Sequence, residues 1–205
     1  MLVFWKEKLV FLAVPKTGTT AIEGALAERA SLVLRDPPGL KHTPAFRFER
    51  FVLPYFGTVD DSAFETVAVI RHPVDWLGSW YRYRSRPALA GKPNSTADIT
   101  FDQFVREYCK GKPKPYANVG SQARFVQDKH GGRGVTHLFR YEDQGALIAF
   151  LEDRLSVRLD LPRVNVSPVR PMSLSPEVLA HLTATRPAEF AIWEAAGRPT
   201  DQSSA

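Results

Sequence analysis

Leu9-Val10-Phe11-Leu12-Ala13-Val14, followed without a break by Pro15-Lys16-Thr17-Gly18-Thr19-Thr20 and then Ala21-Ile22-Glu23-Gly24-Ala25-Leu26-Ala27-Glu28, decides how this chain is read. The aliphatic run predicts a buried strand. The proline, glycine and threonines after it predict a tight turn, and the last stretch reads as a helix. Strand, small-residue loop and helix in that order aim unpaired backbone N–H groups at an anion. Lys16 adds a full positive charge inside the loop, and the hydroxyls of Thr17, Thr19 and Thr20 add neutral donors. Such a loop suits a phosphate or a sulfate.

A second segment repeats the arrangement. Phe64-Glu65-Thr66-Val67-Ala68-Val69-Ile70 is another strand candidate, and it runs into Arg71-His72-Pro73-Val74-Asp75-Trp76-Leu77-Gly78-Ser79. Pro73 suits the first helical position, where its missing N–H costs nothing. Arg71 therefore stands at a strand end beside a helix N-terminus, again an anion-binding place. Ser79 falls about two turns into that helix.

The nucleotide-triphosphate P-loop needs four residues between its first glycine and Gly-Lys-Ser/Thr, and that pattern is absent. Such enzymes also finish a second strand with an aspartate for Mg²⁺, where this chain has Ile70-Arg71, a cation. The order Pro-Lys-Thr-Gly-Thr-Thr instead resembles the 5′-phosphosulfate loop of sulfotransferases that use 3′-phosphoadenosine 5′-phosphosulfate (PAPS). Arg71 with Ser79 resembles the 3′-phosphate motif of the same family. Asn165-Val166-Ser167-Pro168, with Arg170 next, resembles a late motif of the carbohydrate-type and bacterial branches. The glycine-rich basic loop of the phenol and steroid branch is absent. The resemblance implies that Lys16, Thr17, Gly18, Thr19, Thr20, Arg71, Ser79 and Arg170 bind PAPS, and because Arg71 at the strand end would repel Mg²⁺, no metal is expected. Lys16 would also neutralise charge on the bridging oxygen as the sulfur–oxygen bond breaks.

An acceptor hydroxyl needs a general base, for which histidine is the usual choice near neutral pH. The candidates are His42, His72, His130, His137 and His181. His42, in Lys41-His42-Thr43 just past the breaker Asp36-Pro37-Pro38-Gly39, stands where carbohydrate-type sulfotransferases often place a similar histidine. It is the expected base. Glu23 is the alternative, although a place on the first helix points it toward solvent. Trp76, Trp80 and Tyr83 share a helical face and read first as core, then as an aromatic wall for a ring. Arg82, Arg84 and Arg86 are either a solvated face or contacts for an anionic acceptor.

The remaining organisation is that of one domain over 1–205. Short strands are expected at Ser31–Arg35 and Val135–Phe139, an aromatic-rich helix at Pro44–Phe51, and helices at Pro73–Tyr83, Phe101–Tyr108, Val119–Gln127 and Gln144–Leu155. Asp98 or Thr100 would cap the helix at Phe101. Gly131-Gly132-Arg133-Gly134 precedes its strand and so reads as a turn. Alternating strands and helices predict an α/β fold of three layers, with a mainly parallel sheet and ligands beyond the strand carboxyl ends.

Composition agrees with a globular domain. Apolar residues make up 44% and charged residues 24% of the 205, ordinary values for a folded domain. Cys109 is the single cysteine, so no intramolecular disulfide is possible, and the buried face of a helix suits it. Met1-Leu2-Val3-Phe4-Trp5 is interrupted too soon by Lys6-Glu7-Lys8 to form a signal peptide or membrane anchor, so a cytoplasmic location is expected. The net charge of +5 fits a polyanionic donor. Nucleic acid is the other partner for a basic chain, but no zinc-ligand spacing, RNA-binding signature or long basic run supports it.

The expectation is a sulfotransferase that moves a sulfuryl group from PAPS to a hydroxyl or amine of a saccharide-like acceptor by in-line displacement. Adenosine 3′,5′-bisphosphate would be the other product. A nucleotide kinase-like phosphotransferase and a non-catalytic nucleotide-binding protein of the same fold are the competing readings.

Overall fold

Two aliphatic strands carry the architecture, β2 (Leu9–Leu12) and β4 (Glu65–Ile70). All of β2 and all of β4 except Glu65 are buried, as expected of strands covered on both faces. A computed structural model of the chain describes residues 1–60, 62–161 and 172–197. Its five-stranded sheet has the order β3-β1-β2-β4-β5, with β1 at Leu2–Phe4, β3 at Leu32–Val33 and β5 at His137–Arg140.

The central ladders are parallel: Phe11 stands opposite Val67, and Val69 opposite Phe139. The other two are antiparallel, with Val3 opposite both Val10 and Leu32. The α/β expectation therefore holds, with a mixed sheet instead of a mainly parallel one. The difference comes from β1. Leu2–Phe4 is buried throughout and folds back on β2 through the charged turn Lys6-Glu7-Lys8, where Lys8 adopts φ 51 and its N–H donates to the Trp5 carbonyl at 3.3 Å.

The helices follow as α1 (Thr19–Leu26), α2 (Pro38–Lys41), α3 (Ala45–Arg47), α4 (Leu53–Gly57), α5 (Pro73–Arg84), α6 (Phe101–Tyr108), α7 (Gln122–Val126), α8 (Gln144–Leu155), α9 (Pro176–Thr185) and α10 (Pro187–Ala195). A wide π turn, Phe48–Val52, joins α3 to α4. Pro54, which lacks an N–H for the normal ladder, accounts for the change of winding there.

The chain divides into two compact units. The first takes in the described parts of 1–71, 122–164 and 195–205. Its core joins Leu9, Phe11, Val67 and Val69 from the sheet to Ile22 and Leu26 of α1 and to Leu147, Leu151 and Leu155 of α8. Leu147, Leu151 and Leu155 recur every fourth residue, the spacing that puts a helix stripe onto a sheet.

The second unit takes in the described parts of 72–121 and 165–194 and is helical. Trp76, Leu77 and Tyr81 of α5 pack with Phe101, Phe104, Val105 and Tyr108 of α6 and with Val178 and Leu182 of α9. Of the two expected caps for α6, Thr100 serves. Its hydroxyl accepts from the Gln103 N–H at 3.2 Å while the Gln103 side chain accepts from the Thr100 N–H at 2.8 Å, a reciprocal capping box. Cys109 follows α6 as its half-buried C-cap. Among the described residues no helix is long and apolar enough to cross a membrane.

Candidate functional site

Leu12 ends β2, and the chain turns at once: the Val14 N–H donates back to the Leu12 carbonyl at 3.0 Å. Lys16 then adopts φ 68 and Gly18 φ 74. A left-handed conformation suits glycine, but for lysine it costs roughly 1–2 kcal/mol. Strain of this kind persists where the surroundings enforce it, and it concentrates at functional sites. Thr17 lies between these two residues, 2% exposed, and its hydroxyl donates to the Val14 carbonyl at 2.9 Å. That hydroxyl therefore shapes the loop instead of facing a ligand.

Gly18 is the N-cap of α1 and has no side chain to cap with. Among the described residues no hydrogen bond engages the N–H groups of Thr17, Gly18, Thr19 and Thr20. The first N–H groups of a helix lack intrahelical partners, and here they carry the positive end of the helix dipole. Thr19 is buried at 5% and Thr20 is exposed. The loop at 16–20 thus opens α1 with left-handed Lys16 and Gly18 and with backbone N–H groups that the described residues leave unbonded.

Arg71 follows β4 in the same unit. The Gln122 side chain accepts from the Arg71 N–H at 2.9 Å and donates to the Arg71 carbonyl at 2.8 Å. The guanidinium carbon lies 4.5 Å from the centre of the Tyr141 ring, within cation–π range. The Nε of Arg71 is buried and has no hydrogen-bond partner among the described residues.

Tyr141 follows β5, and its N–H donates to the Ile70 carbonyl at 2.7 Å. A Cβ placed on Gly18 would come within 3.1 Å of the same ring. Tyr141 therefore touches both the lysine loop and Arg71, and it brings the carboxyl ends of β2, β4 and β5 to one place. Sequence reasoning passed over Tyr141 and Gln122. One is an aromatic after a strand and the other a polar residue opening a short helix, and neither pattern is distinctive alone.

His42 is the C-cap of α2. Its Nδ1 lies 2.7 Å from the carbonyl oxygen of Ala13, the residue that follows β2. A carbonyl oxygen only accepts, so Nδ1 carries the proton and Nε2 keeps its lone pair. Burial holds the imidazole below its ordinary pKa, and the nearby Lys41 ammonium adds to the effect. His42 is thus kept neutral in the tautomer a base requires, next to the strand that feeds the lysine loop.

The other histidines have different places. His137 Nε2 lies 2.7 Å from Glu65 at the amino ends of β4 and β5, away from Arg71. His130 sits in the exposed glycine turn, where Asp128 accepts from the N–H groups of His130 and Gly132 at 2.7 and 2.9 Å. The turn centres on 129–130, one side chain, Asp128, closes it, and Arg133 beyond it forms an antiparallel bridge with Gln127. His72 is the N-cap of α5 and packs edge-on against Trp193 at 4.8 Å. His181 is exposed on α9.

Glu23 does not face solvent. It is 8% exposed, its Oε1 lies 2.5 Å from Arg35 Nε, and its Oε2 lies 2.7 Å from Lys41 Nζ. Burial opposes ionisation of the carboxyl, but the bonds from Lys41 and Arg35 outweigh it and hold its pKa below the ordinary value. With both oxygens engaged by cations, Glu23 is a poor proton acceptor. It ties α1 to the segment that carries His42.

In the second unit Ser79 is 6% exposed on α5. Trp76 is core at 2% exposure, and its ring meets Trp80 at 6.4 Å, which in turn meets Tyr83 at 5.7 Å. Arg84 donates to the Pro115 and Asn118 carbonyls at 2.6 and 3.1 Å, and Arg86 to the Tyr83 carbonyl at 3.1 Å. Arg84 thus serves to hold a loop. Arg170 and the motif at 165–168 lie outside the described residues. No protein-family model matches the chain, and no curated protein matches it either.

Proposed function

We propose that this chain is a PAPS-dependent sulfotransferase acting on a hydroxyl or amine of a saccharide-like acceptor. One observation carries the reading: the Tyr141 ring stacks on the Arg71 guanidinium and leaves little room for a Cβ on Gly18 of the lysine loop. A nucleotide with a phosphosulfate at its 5′ end and a phosphate at its 3′ position presents anions to both. Lys16 and the N–H groups of 17–20, which no described residue bonds, would hold the 5′ end, and Arg71 the 3′ phosphate. Ser79 and Arg170 enter the proposal on their sequence positions alone, as does the three-layer arrangement.

In the reaction, the acceptor oxygen or nitrogen forms a bond to sulfur while the bond from sulfur to the 5′-phosphate oxygen breaks. His42 Nε2 takes the acceptor proton. The Lys16 ammonium and the loop N–H groups stabilise the charge that gathers on the leaving phosphate. The products are the sulfated acceptor and adenosine 3′,5′-bisphosphate. PAPS and an unidentified acceptor are the partners in this reading, and the cytoplasm is the proposed location.

The test is incubation with sulfur-labelled PAPS and a mixed panel of oligosaccharides, lipids and phenols. The reading expects label in the saccharide fraction. Donor binding with no transfer to any fraction would favour a non-catalytic nucleotide-binding protein. Tight binding of ATP with Mg²⁺, and none of PAPS, would favour a phosphotransferase.

A further inference from the structure

Gln122 opens α7 and is 1% exposed, so its amide has no access to water for its hydrogen bonds. The two bonds it makes to Arg71, 2.9 Å from the N–H and 2.8 Å to the carbonyl, copy with one side chain the pair that a neighbouring strand would exchange. They fall one residue beyond Ile70, the last residue of β4 paired with β5. Both backbone groups of Arg71 are thereby fixed just where the sheet stops holding the chain. Past that point the guanidinium is laid on the Tyr141 ring, with its buried Nε lacking a partner among the described residues. A buried donor of that kind is rare in a native protein and needs an account, which a ligand at this position supplies.

We propose that Gln122 is a positioning residue that sets the protein's discrimination for a nucleotide 3′-phosphate, by clamping the Arg71 backbone so that the buried Nε meets that group. The inference rests on the nucleotide reading above. Glutamine is required for its two-sided chemistry. A carboxylate would keep the bond from the Arg71 N–H but repel the Arg71 carbonyl, and an apolar side chain of the same length would lose both bonds.

The experiment is calorimetry on the full chain with adenosine 3′,5′-bisphosphate and with AMP, which differ by the 3′-phosphate. Wild type should prefer the bisphosphate at least tenfold. Gln122→Met should reduce that preference to less than threefold while AMP affinity stays within twofold, and Gln122→Glu should fall between the two. A merely structural role would lower both affinities together and leave their ratio unchanged. Equal affinities in wild type overturn the nucleotide reading and this inference with it. A wild-type preference retained in folded Gln122→Met overturns this inference alone.

Should Gln122→Met fail to fold, hydrogen exchange at the Arg71 amide of wild type decides the matter, because that N–H is bonded to Gln122. Exchange slowed by the bisphosphate and not by AMP supports the clamp; exchange slowed equally by both overturns it.

Discussion

The guanidinium carbon of Arg71 lies 4.5 Å from the centre of the Tyr141 ring, and a Cβ placed on Gly18, the N-cap of α1, would come within 3.1 Å of that same ring. Through one aromatic side chain the ends of β2, β4 and β5 share a wall. The relationship makes Gly18 sensitive in two ways at once. Its φ of 74 is unfavourable for any L side chain, and an added Cβ would press on Tyr141 at 3.1 Å. Gly18→Ala should destabilise the protein by about 1–2 kcal/mol from the backbone alone, read by urea denaturation. It should also weaken nucleotide binding. Stability equal to wild type would show that the loop relaxes more freely than its left-handed residues imply.

Lys16 and His42 should fail differently. Lys16→Ala should weaken donor binding and slow transfer, because one ammonium serves both the bound donor and the breaking bond. His42→Ala should leave bisphosphate affinity nearly unchanged and cut turnover by roughly 10²–10⁴-fold. Single-turnover rates alongside calorimetry separate the two. Normal turnover in His42→Ala on a confirmed acceptor would remove His42 from the mechanism. Glu23 would then be a weak successor, since Lys41 and Arg35 occupy its oxygens.

The pH profile carries a signed expectation. His42 must be neutral to accept a proton, and burial lowers its pKa. The acid limb of the rate should therefore lie below about pH 6.5, the ordinary histidine value, and it should disappear in His42→Ala if residual activity is measurable. An acid limb displaced above that value would contradict the burial of His42.

Much of this was legible in the sequence, and the exceptions share a cause. Leu9–Leu26 and Glu65–Arg71 are contiguous, so strand, turn and helix signals sit side by side, and α5, α6 and α8 begin where their proline or capping residues place them. Leu2–Phe4 was passed over as a strand because three residues carry too little periodicity to outweigh Lys6-Glu7-Lys8 after them. Glu23 was misplaced because its partners Arg35 and Lys41 lie across a loop and a proline break. Tyr141 and Gln122 acquire meaning only when β4, β5 and α7 come together in space. Local patterns found the strand–turn–helix elements that carry Lys16 and Arg71, and long-range contacts decide what holds them.

Glu23 also gives a stability expectation. Its carboxyl has a folded pKa below the unfolded value, so the stability it adds is complete above about pH 4.3. It is lost as the pH falls through the folded pKa. Glu23→Gln should destabilise the protein at neutral pH by about 1–3 kcal/mol. It should also flatten the decline in stability toward acid, measured as the urea midpoint at a series of pH values. An unchanged acid dependence would mean that the pair with Lys41 is not formed in solution.

The most direct measurement for the central claim is calorimetric titration of wild type, in excess EDTA, with adenosine 3′,5′-bisphosphate and with AMP. Among the described residues no group of three or more His, Cys, Asp or Glu side chains is arranged to hold a metal ion, and the two proposed anion sites would be built from Lys16, backbone N–H groups and Arg71. The account predicts strong binding of the bisphosphate without metal and a clear preference over AMP. Arg71→Ala should erase that preference at a cost of about 1.5–3 kcal/mol, the size of a charge-assisted contact. Equal affinity for the two nucleotides in wild type, or bisphosphate binding that appears only when Mg²⁺ is restored, would contradict it.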